Sequence, residues 1–390
     1  MINTGFIDKF ILQYSILDRN DAILLYRECV NLNVTPEFFL LSCKALTKDS
    51  ILKLNHAKKS DIKLPKEDVL SLFNLEILKE EIEKIKTDSL DSKIPSYPKL
   101  DEEIDKFIIK DVLGKGATSM VYKAHHKYLN MSVALKVLSP QLILEDSSIQ
   151  EKFLNEAMTS ARLSHPNIVK ILDANRTNKY TYIVMEYIEG FTLEEIISKV
   201  GYIDPTKAIK IGLEVSNVLE YALKQFNIIH RDIKPGNIMV TKKSEIKLAD
   251  FGLAKIINEP DMYQTISGEI YGTPYYMSPE QIIDYNNVDH RSDMYSLGAT
   301  LYYLVTGKLP FDSKNLAQII FMQINQKPVA PILARENVSQ NLSNLIMKLL
   351  EKDLKNRYQG YTELIQALRL IAQEYISNNK VINMRDAVGM

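Results

Sequence analysis

This chain of 390 residues is poor in the features that mark special environments. It holds two cysteines, Cys29 and Cys43, with no pairing or metal-ligand spacing, so reduced thiols in a cytosolic protein are expected. It contains no apolar run near the ~20 residues that span a bilayer. Its first residues lack the basic, apolar and small-residue series of a secretory leader. A soluble, cytoplasmic protein ending at Met390 is therefore expected, with no membrane partner. Charge of one sign is also missing: Lys+Arg number 48 and Asp+Glu 49, a formal net charge of -1. Nucleic acid and anionic lipid are excluded as expected partners on that ground. Glycine and proline are sparse, 14 of each, beside abundant Ile, Lys and Asn, a bias of AT-rich genomes that carries no function. What remains is an ordinary globular composition, 46% hydrophobic and 25% charged, in a chain long enough for two or more domains.

The most informative stretch is His230-Arg231-Asp232-Ile233-Lys234-Pro235-Gly236-Asn237. It places a carboxylate, an ammonium and a carboxamide in one short loop. A second carboxylate follows in Asp250-Phe251-Gly252, after the strand-like run Glu245–Ala249. This set suits transfer of a phosphoryl group from a Mg2+-bound nucleotide to a hydroxyl, a reaction that needs positioning and charge neutralisation more than covalent catalysis. Asp232 can accept the hydroxyl proton and Lys234 can stabilise charge on the moving phosphate. Asn237 and Asp250 can supply hard oxygen ligands to Mg2+. The loop resembles the catalytic loop of the protein kinase superfamily, and its Lys resembles that of the serine/threonine branch. The chain looks like a eukaryotic-like serine/threonine protein kinase of bacterial type. ATP and Mg2+, with Mn2+ as an alternative, are the cofactors that the resemblance implies.

Upstream, Leu113-Gly114-Lys115-Gly116-Ala117-Thr118-Ser119-Met120-Val121 reads as strand, glycine-rich turn and strand, with Ser119 where the family has its third glycine. Val133–Leu138 is a strand-like run containing Lys136. A Lys in such a run should be paired or functional. By resemblance its partner is Glu156, in a helix over Ser148–Leu163, with Glu151 as the rival. Tyr182–Gly190 reads as a buried strand ending in a glycine. The resemblance puts Met185 at the back of an adenine pocket, backbone groups of Glu186 and Ile188 against the base, and Leu113, Val121, Ala134 and Met239 on its apolar walls.

Downstream, Gly272-Thr273-Pro274-Tyr275-Tyr276-Met277-Ser278-Pro279-Glu280 resembles the peptide-binding end of an activation segment. This favours protein substrates over small molecules. Thr273 matches the residue that bridges the catalytic Asp and Lys, and Ser278 replaces the usual Ala. Glu280 has Arg357 as its expected ion-pair partner. Asp293 matches the buried helix Asp that holds the catalytic loop. Arg231, beside Asp232, implies an activation-segment phosphosite; Thr265 and Ser267 are the candidates, ahead of Tyr263. Gly236, where selective kinases often carry an acid, argues against a strict preference for basic peptides.

The resemblance implies an α+β fold in two lobes, a small antiparallel sheet with one helix on a mostly helical lobe, over residues 106–375. A helical region of unassigned role is expected over 1–86, a Pro-containing linker over 87–105 and a tail over 376–390. In the first region, Phe6 to Tyr14 has helical periodicity, Thr35-Pro36-Glu37 is a helix start, and a third helix is expected over Lys66–Lys86. This region is either a docking module for a regulatory partner or helical padding on the small lobe. A pseudokinase scaffold is the alternative to an enzyme, although every catalytic position is filled.

Overall fold

The computed structural model describes residues 16–17, 25, 36–59, 66–87, 97–116, 118–145, 148–251, 274–284, 288–313 and 315–388. The expected helix over Phe6–Tyr14 and most of the linker lie outside them. Among the described residues, four helices precede the main fold: α1 (Pro36–Ser42), α2 (Lys48–Lys59), α3 (Lys66–Ser71) and α4 (Leu75–Thr87). α1 opens at Pro36, where the missing N–H costs nothing. The single helix expected over Lys66–Lys86 is instead two. Asn74 breaks it: its Oδ1 accepts from the Ile77 N–H at 3.2 Å and starts α4, while Phe73 turns into the core. Phe39, Leu40, Ile51, Leu54, Val69 and Leu78 form an apolar cluster of their own, separate from the clusters of the two lobes.

The small lobe is an antiparallel sheet of six strands in the order β1-β2-β3-β4-β6-β5: β1 (Glu103–Ile104), β2 (Phe107–Lys115), β3 (Ser119–His126), β4 (Met131–Leu138), β5 (Ile171–Arg176) and β6 (Thr181–Glu186). α5 (Pro140–Glu145) and α6 (Ser148–Ala161) cross between β4 and β5. β4 reads as a continuous apolar run because both its faces are covered. Val133, Leu135 and Val137 join Phe107, Tyr122 and Tyr182 on one side. Ala134 and Leu138 join Phe153 and Ala157 of α6 on the other. The two-residue strand period then puts Lys136 on the α6 side, with Ala134 and Leu138.

The large lobe follows. β7 (Gly190–Thr192) leads into α7 (Leu193–Val200) and α8 (Pro205–Phe226); β8 (Ile238–Thr241) and β9 (Ile246–Leu248) complete a three-stranded sheet with β7. Then come α9 (Pro279–Ile283), α10 (His290–Thr306), α11 (Leu316–Asn325), α12 (Pro331–Ala334), α13 (Gln340–Leu349) and α14 (Tyr361–Val388). α10 is buried almost all round and lies inside the lobe, its few polar side chains, such as Asp293, buried with it. Gly298 lets α13 close on it, since a Cβ there would stand 2.6 Å from the Leu349 Cβ. α14 runs unbroken past Tyr375, so no backbone break marks the start of the expected tail. The two-lobed α+β architecture is the one expected. Among the described residues no helix is long and apolar enough to cross a membrane.

Candidate active site

The loop from His230 to Asn237 joins α8 to β8 in the cleft between the lobes, and α10 sets its backbone. Asp293, 1% exposed, accepts from the His230 N–H at 2.8 Å and the Arg231 N–H at 2.7 Å. Burial raises the Asp293 carboxyl above its ordinary range, and these two donors oppose that shift only in part. Arg231 adopts a left-handed backbone, φ 67°, a conformation that costs a non-glycine residue on the order of 1 kcal/mol and needs such anchoring. Its carbonyl accepts from Gln281 Nε2 at 2.8 Å. The His230 ring is buried: Nδ1 accepts from the Asp232 N–H at 3.2 Å, so Nε2 carries the proton and donates to Ala249 O at 2.9 Å. One imidazole thus ties the loop to the strand end that carries Asp250.

The functional groups converge on Asp232. Its Oδ2 accepts from Asn237 Nδ2 at 2.8 Å and lies 2.7 Å from Lys234 Nζ. Asn237 also donates to Asp232 O at 2.8 Å. With Nδ2 committed, Asn237 presents Oδ1 as its remaining coordinating atom. Burial would lower the Lys234 ammonium, but Asp232, then Asp250 and Glu194, hold it above its ordinary value. Asp250, also left-handed at φ 61°, pairs through Oδ1 with Lys136 Nζ at 2.8 Å. Burial alone would raise its carboxyl; Lys136, with Lys234, overrides that and holds it below the ordinary carboxylate value. Ser160 of α6 donates to Phe251 O, which links the small-lobe helix to the same turn.

The described partner of Lys136 is thus Asp250. Glu156 lies on α6 as expected, but its side chain is outside the described residues. Thr273, Thr265, Ser267 and Tyr263 also lie outside them. Of the expected adenine walls, Ala134 and Met185 are buried, are cross-strand neighbours and share one apolar cluster with Val121. Leu113 stands 42% exposed at the end of β2, and Met239 is half-buried on β8 of the other lobe. Glu186 uses its N–H on Lys170 O at 2.9 Å and its carboxylate on Lys247 Nζ at 2.8 Å. Its carbonyl is what it offers a base. The glycine-rich turn closes through Gly116 N–H to Ser119 O at 2.8 Å. A Cβ at Gly114 would meet nothing, which leaves that backbone open to a phosphate.

These groups fit a nucleotide with a hard divalent cation. Among the described residues no three His, Cys, Asp or Glu side chains gather as a metal cage. Asn237 Oδ1 and the Asp250 carboxylate are the oxygens that would hold such a cation, with phosphates and water completing its shell.

Sequence reasoning passed over the anchoring of the segment after Thr273. Gln323, 1% exposed on α11, donates to Pro274 O at 2.9 Å and Tyr275 O at 2.8 Å. Tyr295 donates to Gln323 Oε1 at 2.5 Å, and Lys352 donates to Tyr295 Oη at 2.8 Å and Gln323 O at 2.6 Å. Ser278, read only as a small substitute for Ala, caps α9 in a reciprocal box with Gln281. The spacing Ser278-Pro279-Glu280-Gln281 carried that signal. The expected Glu280–Arg357 pair is present at 2.6 Å.

Burial, with Arg357 nearby, pushes the Lys352 ammonium down to about 7. Below that pH both folded and unfolded chains carry the proton. Above it, up to about 10.4, only the unfolded chain does, so stability rises with pH across this window. Urea denaturation should show the protein about 1–2 kcal/mol more stable at pH 8.5 than at pH 6. Lys352→Met should abolish the rise; an unchanged slope in that variant would contradict this assignment.

A profile described as "Protein kinase domain" matches residues 107–375. A probable serine/threonine-protein kinase of Clostridium perfringens is 39% identical over 270 residues, covering 69% of this chain and 39% of the relative. The serine/threonine-protein kinase PknB of Mycobacterium tuberculosis is 36% identical over 264 residues, 67% of this chain and 42% of PknB. The chain thus spans about two-fifths of the length of these relatives. Among solved structures, a mutant of the Mycobacterium tuberculosis PknI kinase domain superposes with a TM-score of 0.55 at 24% identity, covering 70% of this chain and 98% of that one.

Proposed function

We propose a protein serine/threonine phosphotransferase activity from one premise: the chain belongs to the protein kinase family. Membership implies ATP, a divalent metal and protein substrates. The observation that carries the residue assignments is the convergence of Lys234 and Asn237 on Asp232 Oδ2. With Oδ2 engaged, Asp232 takes the acceptor hydroxyl's proton on Oδ1 as the oxygen gains the γ-phosphoryl group and ADP leaves. Lys234 holds positive charge beside that transfer. Asn237 and Asp250 hold the metal, with Mg2+ preferred for its small shell of oxygens and Mn2+ as the alternative. The metal, when bound, neutralises charge on the phosphates. Lys136 would align the phosphates of a bound nucleotide, and the family resemblance gives it Glu156 as a partner. The family resemblance assigns to Thr273 the role of bridging Asp232 and Lys234. Leu113, Gly114, Gly116, Val121, Ala134, Met185, Glu186, Ile188 and Met239 enclose the base and phosphates.

The kinase domain is assigned to residues 106–375, with the helical region 1–86, the linker 87–105 and the tail 376–390 around it. The helical region's own apolar cluster supports reading it as a module with a regulatory partner. The protein is assigned to the cytoplasm.

The test is incorporation of labelled phosphate by the purified chain with ATP and Mg2+. The wild type should label itself and Lys136→Met should not. Absence of both labelling and Mg2+-dependent ATP binding in the wild type would favour a pseudokinase scaffold. Thr265→Ala/Ser267→Ala should slow turnover roughly tenfold, the worth of one charge-assisted hydrogen bond to Arg231. Full activity in that double variant would remove the phosphosite assignment.

A further inference from the structure

Gly236 leaves a gap in the catalytic loop, and a carboxylate from another element fills it. A Cβ built on Gly236 would stand 2.8 Å from Glu194 Oε2. Glu194 therefore leans over the residue between Pro235 and Asn237, and only the absence of a side chain at 236 leaves it that place. The start of α7 that carries it is capped. Thr192 caps the helix, accepting from the Glu195 N–H at 3.1 Å, and Glu195 Oε2 accepts in return from the Thr192 N–H at 2.7 Å. That box commits the Glu195 carboxylate to the backbone. Glu194, one residue earlier, is free to face the loop.

Asp232 is matched by Lys234, and Asp250 by Lys136. The Glu194 carboxylate has no ion pair or hydrogen bond among the described residues, and it is exposed. Its field nonetheless reaches both sides of the groove. It supports the Lys234 ammonium, and it adds to the burial that raises the phenols of Tyr276, beside the Pro274–Tyr275 shelf, and Tyr303 of α10. A negative charge thus lies over the catalytic loop at Gly236, within electrostatic reach of Lys234 and of Tyr276, next to Pro274 and Tyr275.

We propose that Glu194 is a specificity-determining residue that takes a basic side chain, Arg or Lys, flanking the acceptor Ser or Thr. This rests on the phosphotransferase reading and reverses the expectation drawn from Gly236: the acid is present, supplied by α7 rather than by the loop. An extended peptide advances about 3.3 Å per residue, and an Arg reaches several ångströms beyond its own backbone, so the cation belongs within about three residues of the acceptor.

The experiment uses the full chain and peptides in which Ala replaces the acceptor, so that binding is read without catalysis. A single Arg, Gln or Glu is walked through the three positions on each side, and affinity is read by fluorescence anisotropy at low and high salt. At one position, the Arg peptide should bind roughly tenfold more tightly than the Glu peptide, with the difference shrinking in salt. Glu194→Gln should collapse the ranking and Glu194→Arg should invert it. Equal binding of all three peptides by the wild type, or an unchanged ranking in Glu194→Arg, would overturn the proposal. The same peptides with Ser restored report transfer separately. A retained, Glu194-dependent ranking with no phosphate transfer would support the site while removing the enzymatic reading.

Discussion

Asp250→Asn is expected to lower phosphoryl transfer roughly a thousandfold while the protein stays folded. Asp250 Oδ1 is paired with Lys136 Nζ at 2.8 Å, and the two nearby cations hold the group ionised well into acid. An amide there is nearly isosteric but loses the charge that both the cation and Lys136 require. The predicted signature is a large fall in kcat at saturating ATP, together with a loss of Mg2+-dependent nucleotide affinity. Far-UV circular dichroism should stay unchanged, because the side chain is 27% exposed and packs no core. Asp232→Asn should match it in kcat but keep Mg2+-dependent nucleotide binding, which separates proton acceptance from metal binding. Activity within tenfold of wild type in Asp250→Asn would sink the metal-ligand assignment.

Arg357→Met is expected to be the most destabilising of the substitutions considered, by about 3–5 kcal/mol. The guanidinium is fully buried and pairs with Glu280 through Nη1 at 2.6 Å and Nη2 at 2.8 Å. It also donates to Glu351 O at 2.7 Å and Arg291 O at 2.9 Å. Removing it strands a carboxylate that is only 15% exposed, together with the Glu351 and Arg291 carbonyls it served. Arg357→Met/Glu280→Gln should therefore be more stable than Arg357→Met alone, a non-additivity that urea denaturation can read. Burial would raise the Glu280 carboxyl, but Arg357 and Ser292 hold it below the ordinary value. Its stabilisation is complete above about pH 4.3 and is lost as pH falls through the depressed folded value. Glu280→Gln should flatten the acid limb of the stability profile; an unaltered acid limb would contradict the pairing.

The grouping of polar side chains was legible where a single residue type at a single spacing has few other uses. Lys234 and Asn237 gather on Asp232, Asp293 holds the loop's backbone, and Glu280 pairs with Arg357. β4 was legible because five apolar residues and one Lys admit few other readings. Less legible were features whose partners come from far along the chain. Nothing local to Gln323 says that it holds Pro274 and Tyr275, and nothing local to Gly236 says that Glu194 fills its gap. The break at Asn74 was missed for another reason. The apolar period continues across it, and a single capping side chain outweighs the pattern.

The loop holding Asp232 and Asn237 is fastened by Asp293 and Gln281, both of the large lobe, whereas Lys136 rides on the small-lobe sheet. On the phosphotransferase reading, the group assigned to the acceptor hydroxyl is therefore fixed to one lobe, while those assigned to the nucleotide are shared between two. A change in the angle between the lobes would then displace Lys136 and leave Asp232 in place.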